Sequence, residues 1–170
     1  MHDAGLDVDA VELIERMYEE GALKIRMNIM VSDNQENLDY FTERGKIEKE
    51  RLRVGTIKVY ADGALGSRGA WLKEPYHDAH DHVGLKLHER EHVDSIAQWC
   101  LENEFQLATH CIGDSANALL LDVYSKALEG TNDLRWRIEH AQVVDLNDLS
   151  LFGRYNIIPS VQPTHATSDM

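Results

Sequence analysis

Two histidines occupy matching settings in this chain: His110 in "QLATHCIGD" and His140 in "LRWRIEHAQVV". Each closes a short, largely apolar run of strand character. A single histidine there is often a core group that hydrogen-bonds its neighbours. Two imidazoles one strand–helix unit apart read more readily as a metal pair. Lys58, in "TIKVYADG", brings an amine to a third such run. A lysine facing the middle of a parallel sheet is costly unless paired or modified. Either Lys58 snorkels or pairs with Asp62, or its pKa is low enough for reaction with carbon dioxide. The product would be a carbamate able to bridge two metals. Spacing leaves both readings open.

The elements that must position these groups follow a repeating order. Helical periodicity and a closing glycine mark Val8–Gly21, and Ala22–Val31 reads as a strand. Asn34–Gly45 reads as a helix, Arg53–Gly63 as a strand and Glu89–Glu104 as a helix. Phe105–Gly113 reads as a strand, followed by a strong helix over Asp114–Gly130 with Asp114 as its N-cap. A strand over Arg135–Val144, a short helix over Asp145–Tyr155 and a strand running into a loop over Asn156–Ala166 complete the chain. This order predicts an α/β fold: parallel strands with helices outside. No composition break divides residues 1–170, so one domain is expected. Ala64–His88 is a long loop, a length that usually means function or disorder.

Polar residues recur at one edge of that sheet. Lys58 and Asp62, His110, His140, and Gln162 with His165 all fall at or just past the C-terminal ends of strands. That edge is where sites are built in open α/β sheets and in (β/α) barrels. Strict alternation places Ala108 with His110, and Leu107, Thr109 and Cys111 toward the helices. It likewise places Trp136, Ile138 and His140 on one face, with Arg137 and Glu139 opposite and paired to the surrounding layer. Cys111 is then core packing. The cluster "HDAHDH" (His77–His82) resembles a metal motif, but a mobile loop lacks the preorganisation of a ligand set. Glu12, Glu15, Glu19 and Glu20 read as a solvated helix face.

Composition narrows the function classes. The chain has 170 residues, 43% hydrophobic and 28% charged, with a net charge of −13. It is therefore globular, and too acidic for a nucleic-acid or anionic-membrane partner. No apolar run approaches the ~18 residues of a membrane span. "MHDAGLDVDA" has neither a basic nor an apolar segment of a signal peptide. Cys100 and Cys111 are too few for a disulfide scaffold, so a reduced, cytoplasmic chain is expected.

Four ordered motifs carry a resemblance that runs over essentially the whole chain. "IKVYADGALGSRGAWL", "THCIGDSAN", "RWRIEHAQ" and "PSVQPTHATSDM" resemble the amidohydrolase superfamily. The nearest branch is amidohydrolase family 3, which includes N-substituted formamide deformylase. "MHDAGLD" resembles that family's end of the second barrel strand. The resemblance implies a (β/α)8 (TIM) barrel holding one or two divalent metals, usually zinc, at its C-terminal rim. It implies hydrolysis of amide-like, non-peptide C–N bonds in small molecules by metal-activated water. Carried onto this sequence, Lys58, His110 and His140 are the metal positions of the fourth, fifth and sixth barrel strands, with Lys58 a candidate for carbamylation. Asp62, Gly63, Ser67 and Arg68 fall in the substrate loop. Gln162 and His165, at the exit of the seventh strand, are expected to line the pocket.

The departures matter equally. The family's first strand carries a His-x-His pair, and its eighth an aspartate that binds metal and serves as general base. Neither is found; "HDH" lies in the long loop, and Asp169 comes too soon after the seventh strand. The chain is therefore expected to be the central part of a larger hydrolase, a partial barrel covering about strands two to seven. By itself it should be inactive, since losing a general base costs roughly 10²–10⁴ in rate. Exposed strand edges should favour a homo-oligomer. Two other readings compete: a non-catalytic half-barrel serving interaction or regulation, and a phosphate-binding α/β protein using the helix start after Gly113. "IGDSA" lacks a glycine-rich loop, which disfavours the latter.

Overall fold

The computed structural model describes residues 1–130 and 132–168. Seven strands and six helices follow in this order: β1 (His2–Leu6), α1 (Val8–Glu19), β2 (Met27–Ser32), α2 (Gln35–Arg44), β3 (Ile47–Glu48), β4 (Leu52–Tyr60), α3 (Arg90–Glu102), β5 (Gln106–Cys111), α4 (Asp114–Leu128), β6 (Arg137–His140), α5 (Leu149–Arg154), β7 (Ile158–Ser160) and α6 (His165–Ser168). Six strands pair in parallel in the order β1-β2-β4-β5-β6-β7, and β3 pairs antiparallel with β4. Consecutive parallel neighbours joined by helices are the βαβ pattern of a barrel wall. The fold is a partial barrel of the α/β class.

The hydrophobic core lies between the sheet and its helices. Val31, Ile57, Val59, Leu107, Cys111 and Ile138 are fully buried on the outer face of the strands. They pack with Phe41 of α2, Cys100 of α3, and Leu120, Leu121 and Tyr124 of α4. Burying one such side chain contributes about 1.5–3 kcal/mol. The polar atoms taken inside are satisfied: Thr109 Oγ1 lies 2.7 Å from Tyr124 Oη, and Trp136 Nε1 donates to the Phe105 carbonyl at 3.0 Å. Asn37, fully buried, accepts from the Val8 amide at 3.0 Å and donates to the Ser32 carbonyl at 2.8 Å. It thereby fixes α1 and α2 to the end of β2.

Several sequence expectations shift here. The second strand starts at Met27, not Ala22, and the short antiparallel β3 precedes β4. β6 is only four residues long, because His140 and Ala141 both adopt positive φ (74° and 43°) and end the extended run. β7 is confined to Ile158–Ser160, and His165–Ser168 forms a helical turn. The N-cap of α4 is Gly113, and the Asp114 carboxylate accepts instead from the Lys73 amide at 2.9 Å. Glu15 is not solvated: it is buried and pairs with Arg44 at 2.7 Å and Lys49 at 2.8 Å.

The facing of β6 is also reversed. Trp136 and Ile138 point into the helical core, while Arg137 and Glu139 line the inner cavity and pair with each other. Strict alternation would then send His140 outward. Its left-handed backbone returns it to the inner side, where it lines the same cavity. No helix of the described residues is long and apolar enough to cross a membrane.

Candidate metal centre

Lys58 and Tyr60 project from the end of β4 onto the inner face, and His110 stands beside them on β5, where Tyr60 and His110 are register partners. Lys58 is 5% exposed. Its ammonium donates to the Val59 carbonyl at 3.0 Å and sits 3.7 Å from the centre of the Tyr60 ring. Burial lowers its pKa to about 8; Glu139 and Asp33 oppose that drop, and Arg137 adds to it. A usable fraction of the amine is then neutral near physiological pH.

The two histidines converge. The rings of His110 and His140 lie 4.6 Å apart, edge to face at 70°. Burial, with help from His140 and Lys58, lowers the His110 pKa to about 4, against a backbone hydrogen bond with Gly63. His110 Nε2 is buried without a hydrogen-bond partner among the described residues. A neutral imidazole held by the carbonyl side of a loop, with its second nitrogen unspent, is the state a metal ligand needs. His140 Nδ1 lies 2.7 Å from Gln162 Oε1, a partner that accepts only and so fixes the tautomer with a lone pair on Nε2. His165 stacks on His140 at 5.7 Å. The orphaned nitrogen of His110 and the oriented ring of His140 are donors of the kind a divalent ion takes, whereas Lys58 as an ammonium has no lone pair to offer.

Lys58, Tyr60, His110 and His140 line a cavity of about 480 Å³ together with Arg137, Glu139 and Ser160; Gln162 and His165, expected to line it, reach it only through the His140 ring, and Asp62 and Gly63 are not among its lining residues. The sequence reading missed Tyr60, Arg137 and Glu139 as wall residues. Alternation from Lys58 reaches Tyr60; only the kink at His140 reveals the other two.

The loop residues divide. Asp62 is fully buried and accepts from the amides of Ile112 (2.9 Å), Gly113 (2.7 Å) and Trp71 (3.0 Å). Burial pushes its carboxyl above the usual range, although those three amides pull it down. One of its oxygens lies 3.8 Å from His110 Nε2. Asp62 thus clasps the long loop to the start of α4 directly behind the histidine. Gly63 packs against Gly69: a Cβ at position 63 would lie 3.1 Å from the Gly69 Cα. At Gly113 a Cβ would meet the Trp71 carbonyl oxygen at 2.0 Å, so only glycine admits the crossing. Ser67 bonds within the loop to the Ala64 carbonyl at 3.1 Å, and Arg68 makes a two-point contact with Asp78. Neither lines the cavity at Lys58. In the "HDAHDH" segment, His82 Nε2 pairs with the Arg68 carbonyl at 2.7 Å, and these residues form no cluster of three donors among the described residues. Asp169 lies outside the described residues.

Known proteins share this arrangement of chain. "Protein LONG AFTER FAR-RED 3" of Arabidopsis thaliana is 37% identical over 134 residues, 78% of this chain and 23% of its own length. "Putative amidohydrolase YtcJ" of Bacillus subtilis (strain 168) is 32% identical over 151 residues, 88% of this chain and 28% of its own length. Crystal structures of uncharacterized metal-dependent hydrolases from Pyrococcus furiosus and Pyrococcus horikoshii OT3 each superpose with a TM-score of 0.87 at 29% identity. Each superposition covers 99% of this chain, but only 35% and 34% of those chains, respectively. The chain thus spans about a quarter of the curated relatives and a third of the solved structures. The model of the amidohydrolase family matches residues 3–170, and the chain belongs to that family.

Proposed function

We propose that this chain carries the metal-binding wall of a hydrolase that cleaves amide-like, non-peptide C–N bonds in small molecules. The observation that carries this reading is the His110–His140 pair beside Lys58, with His110 Nε2 buried and unspent among the described residues. His110 and His140 would hold the ion, of zinc type, and Lys58 would join them, with two ions, if carbamylated. A divalent ion there supplies Lewis-acid activation of water and polarisation of a carbonyl.

The chain's own residues prepare that chemistry. Gln162 orients His140, and Asp62 fixes the backbone behind His110. The lowered pKa of Lys58 provides neutral amine, whose nitrogen can attack carbon dioxide and release a proton to leave a carbamate. The substrate would lie in the 480 Å³ cavity, with His165 over the His140 ring. Among the described residues, the carboxylates that act on this centre are engaged: Asp62 by three amides, Glu139 by Arg137 and Asp33 by His92. Among the described residues no free general base stands there, so the chain alone is expected to bind metal but not to turn over.

Elemental analysis after zinc dialysis, with His140→Ala beside the parent chain, tests the site. Bound zinc should fall on substitution. Equal zinc in both proteins refutes the assignment of His140, and zinc-dependent hydrolysis of N-formyl or N-acyl amides by the chain alone refutes the missing base. The unpaired edges of β1 and β7 in the described sheet favour self-association, which light scattering reads directly.

A further inference from the structure

A second cluster of donors stands outside the lining of this cavity, although Asp33 is near enough to act on Lys58 electrostatically. Asp33 follows the last residue of β2, His88 closes the long loop, and His92 stands in the first turn of α3. Their ligand atoms all lie within 4.8 Å of one another. His92 Nε2 is 2.7 Å from Asp33 Oδ2, and the rings of His88 and His92 stack at 4.2 Å with only 20° between their planes. All three are partly buried. None lines the cavity at Lys58. Ser32 is the register partner of Lys58, and Asp33, the next residue, turns to the side of α3, where His92 meets it.

We propose that Asp33, His88 and His92 form a second, structural site for a divalent cation of zinc type. Two imidazoles and one carboxylate are the donor set that suits such ions, with water completing the sphere. Donors of a tetrahedral site with ligand distances of about 2.0 Å stand roughly 3.3 Å apart. The present donors lie within 4.8 Å of one another, so binding would draw them closer together. Burial and the neighbouring His92 lower the pKa of His88, against the pull of Asp33.

The three ligands come from two pieces of chain, the exit of β2 and the junction of the long loop with α3, so an ion there would tie them together. The long loop leaves the sheet at Asp62, where three backbone amides clasp it, and returns at Leu87, whose amide donates to the Ala61 carbonyl at 3.0 Å. His88 is the next residue. The ion would therefore lock the returning end of the loop to the exit of β2 and to α3. Such a site stabilises by binding only the folded arrangement.

The test removes the first centre to expose the second. The chain carrying His110→Ala and His140→Ala is dialysed against zinc and analysed for metal, with cobalt as a spectroscopic probe. About one equivalent should remain, cobalt should give visible bands of low-coordinate nitrogen and oxygen ligation, and zinc should raise the melting midpoint. Adding His88→Ala and His92→Ala should abolish all three responses, with circular dichroism confirming that the fold persists. Asp33→Asn is the milder variant: it keeps a hydrogen bond to His92 and should weaken cobalt binding without melting the chain. No zinc in the first variant, or undiminished zinc in the fourfold variant, overturns the proposal. His88→Ala with His92→Ala in the otherwise unaltered chain should lose one equivalent and keep the rim metal, so failure of either site is read separately.

Discussion

The outer and inner faces of the same strands obey different rules. Outside, Ile57, Val59, Leu107 and Ile138 are fully buried against helices. Inside, at intervening positions, stand Lys58, Tyr60, His110, Arg137 and Glu139, lining a cavity. The outer face gains stability from area removed from water, whereas the inner face keeps costly ionisable groups close together. One strand can do both because its side chains alternate. Stability and chemistry are thereby separated by a single residue step.

The largest effect expected from this division is on the outer face. Trp136→Ala should lower stability by about 3–5 kcal/mol in urea unfolding, through lost transfer energy and a cavity beside Tyr124. Lys58→Met, of similar volume on the inner face, should not lower the midpoint, since it removes a buried amine. Equal losses at both positions would erase the distinction. Next comes the clasp between them: Asp62→Ala strands three buried amides and should cost about 2–3 kcal/mol. Hydrogen exchange should quicken at Trp71 and Gly113 in particular.

Acid titration separates the faces in a finer way. The His110 pKa is lowered from 6.5 to about 4, so the unfolded chain takes up a proton that the folded chain refuses. In metal-free protein this stabilisation is complete above 6.5 and falls away as pH drops from 6.5 to 4. Glu15 on α1 is pushed up by burial, but Arg44 and Lys49 outweigh that and hold it below its usual 4.5. Its contribution is present above 4.5 and is lost as pH falls through the lower folded value. His110→Gln should flatten the first window and Glu15→Gln the second, in urea midpoints followed against pH. A His110→Gln protein with an unchanged upper window would show that another group governs it. The smallest effect is expected at the loop surface, where Arg68→Ala removes an exposed pair and should leave the midpoint unmoved.

Much of this was legible in the residue pattern, for identifiable reasons. The helix Asp114–Leu128 and the strand Gln106–Cys111 carry unbroken periodicities, so their faces follow directly. The convergence of Lys58, His110 and His140 followed from strand ends falling at one edge. The facing of Arg137 and Glu139 did not, because a two-residue left-handed kink reverses the count from His140. Glu15 looked solvated because its cations come from α2 and the segment after it, invisible to a helix-face argument. In the Asp33, His88 and His92 cluster only the i,i+4 spacing of "HEREH" is local; Asp33 lies 55 residues before His88, and no local spacing encodes that meeting.

The kink at the end of β6 has a practical corollary for anyone altering this chain. With φ of 74° at position 140 and 43° at position 141, the backbone tolerates a short list of residues. Asparagine and glycine accept that conformation; valine and isoleucine do not. His140→Asn is therefore the substitution that silences the imidazole while sparing the chain's path. A β-branched replacement would confuse a lost ligand with a bent strand. The geometry that aims the histidine also selects its own experimental control.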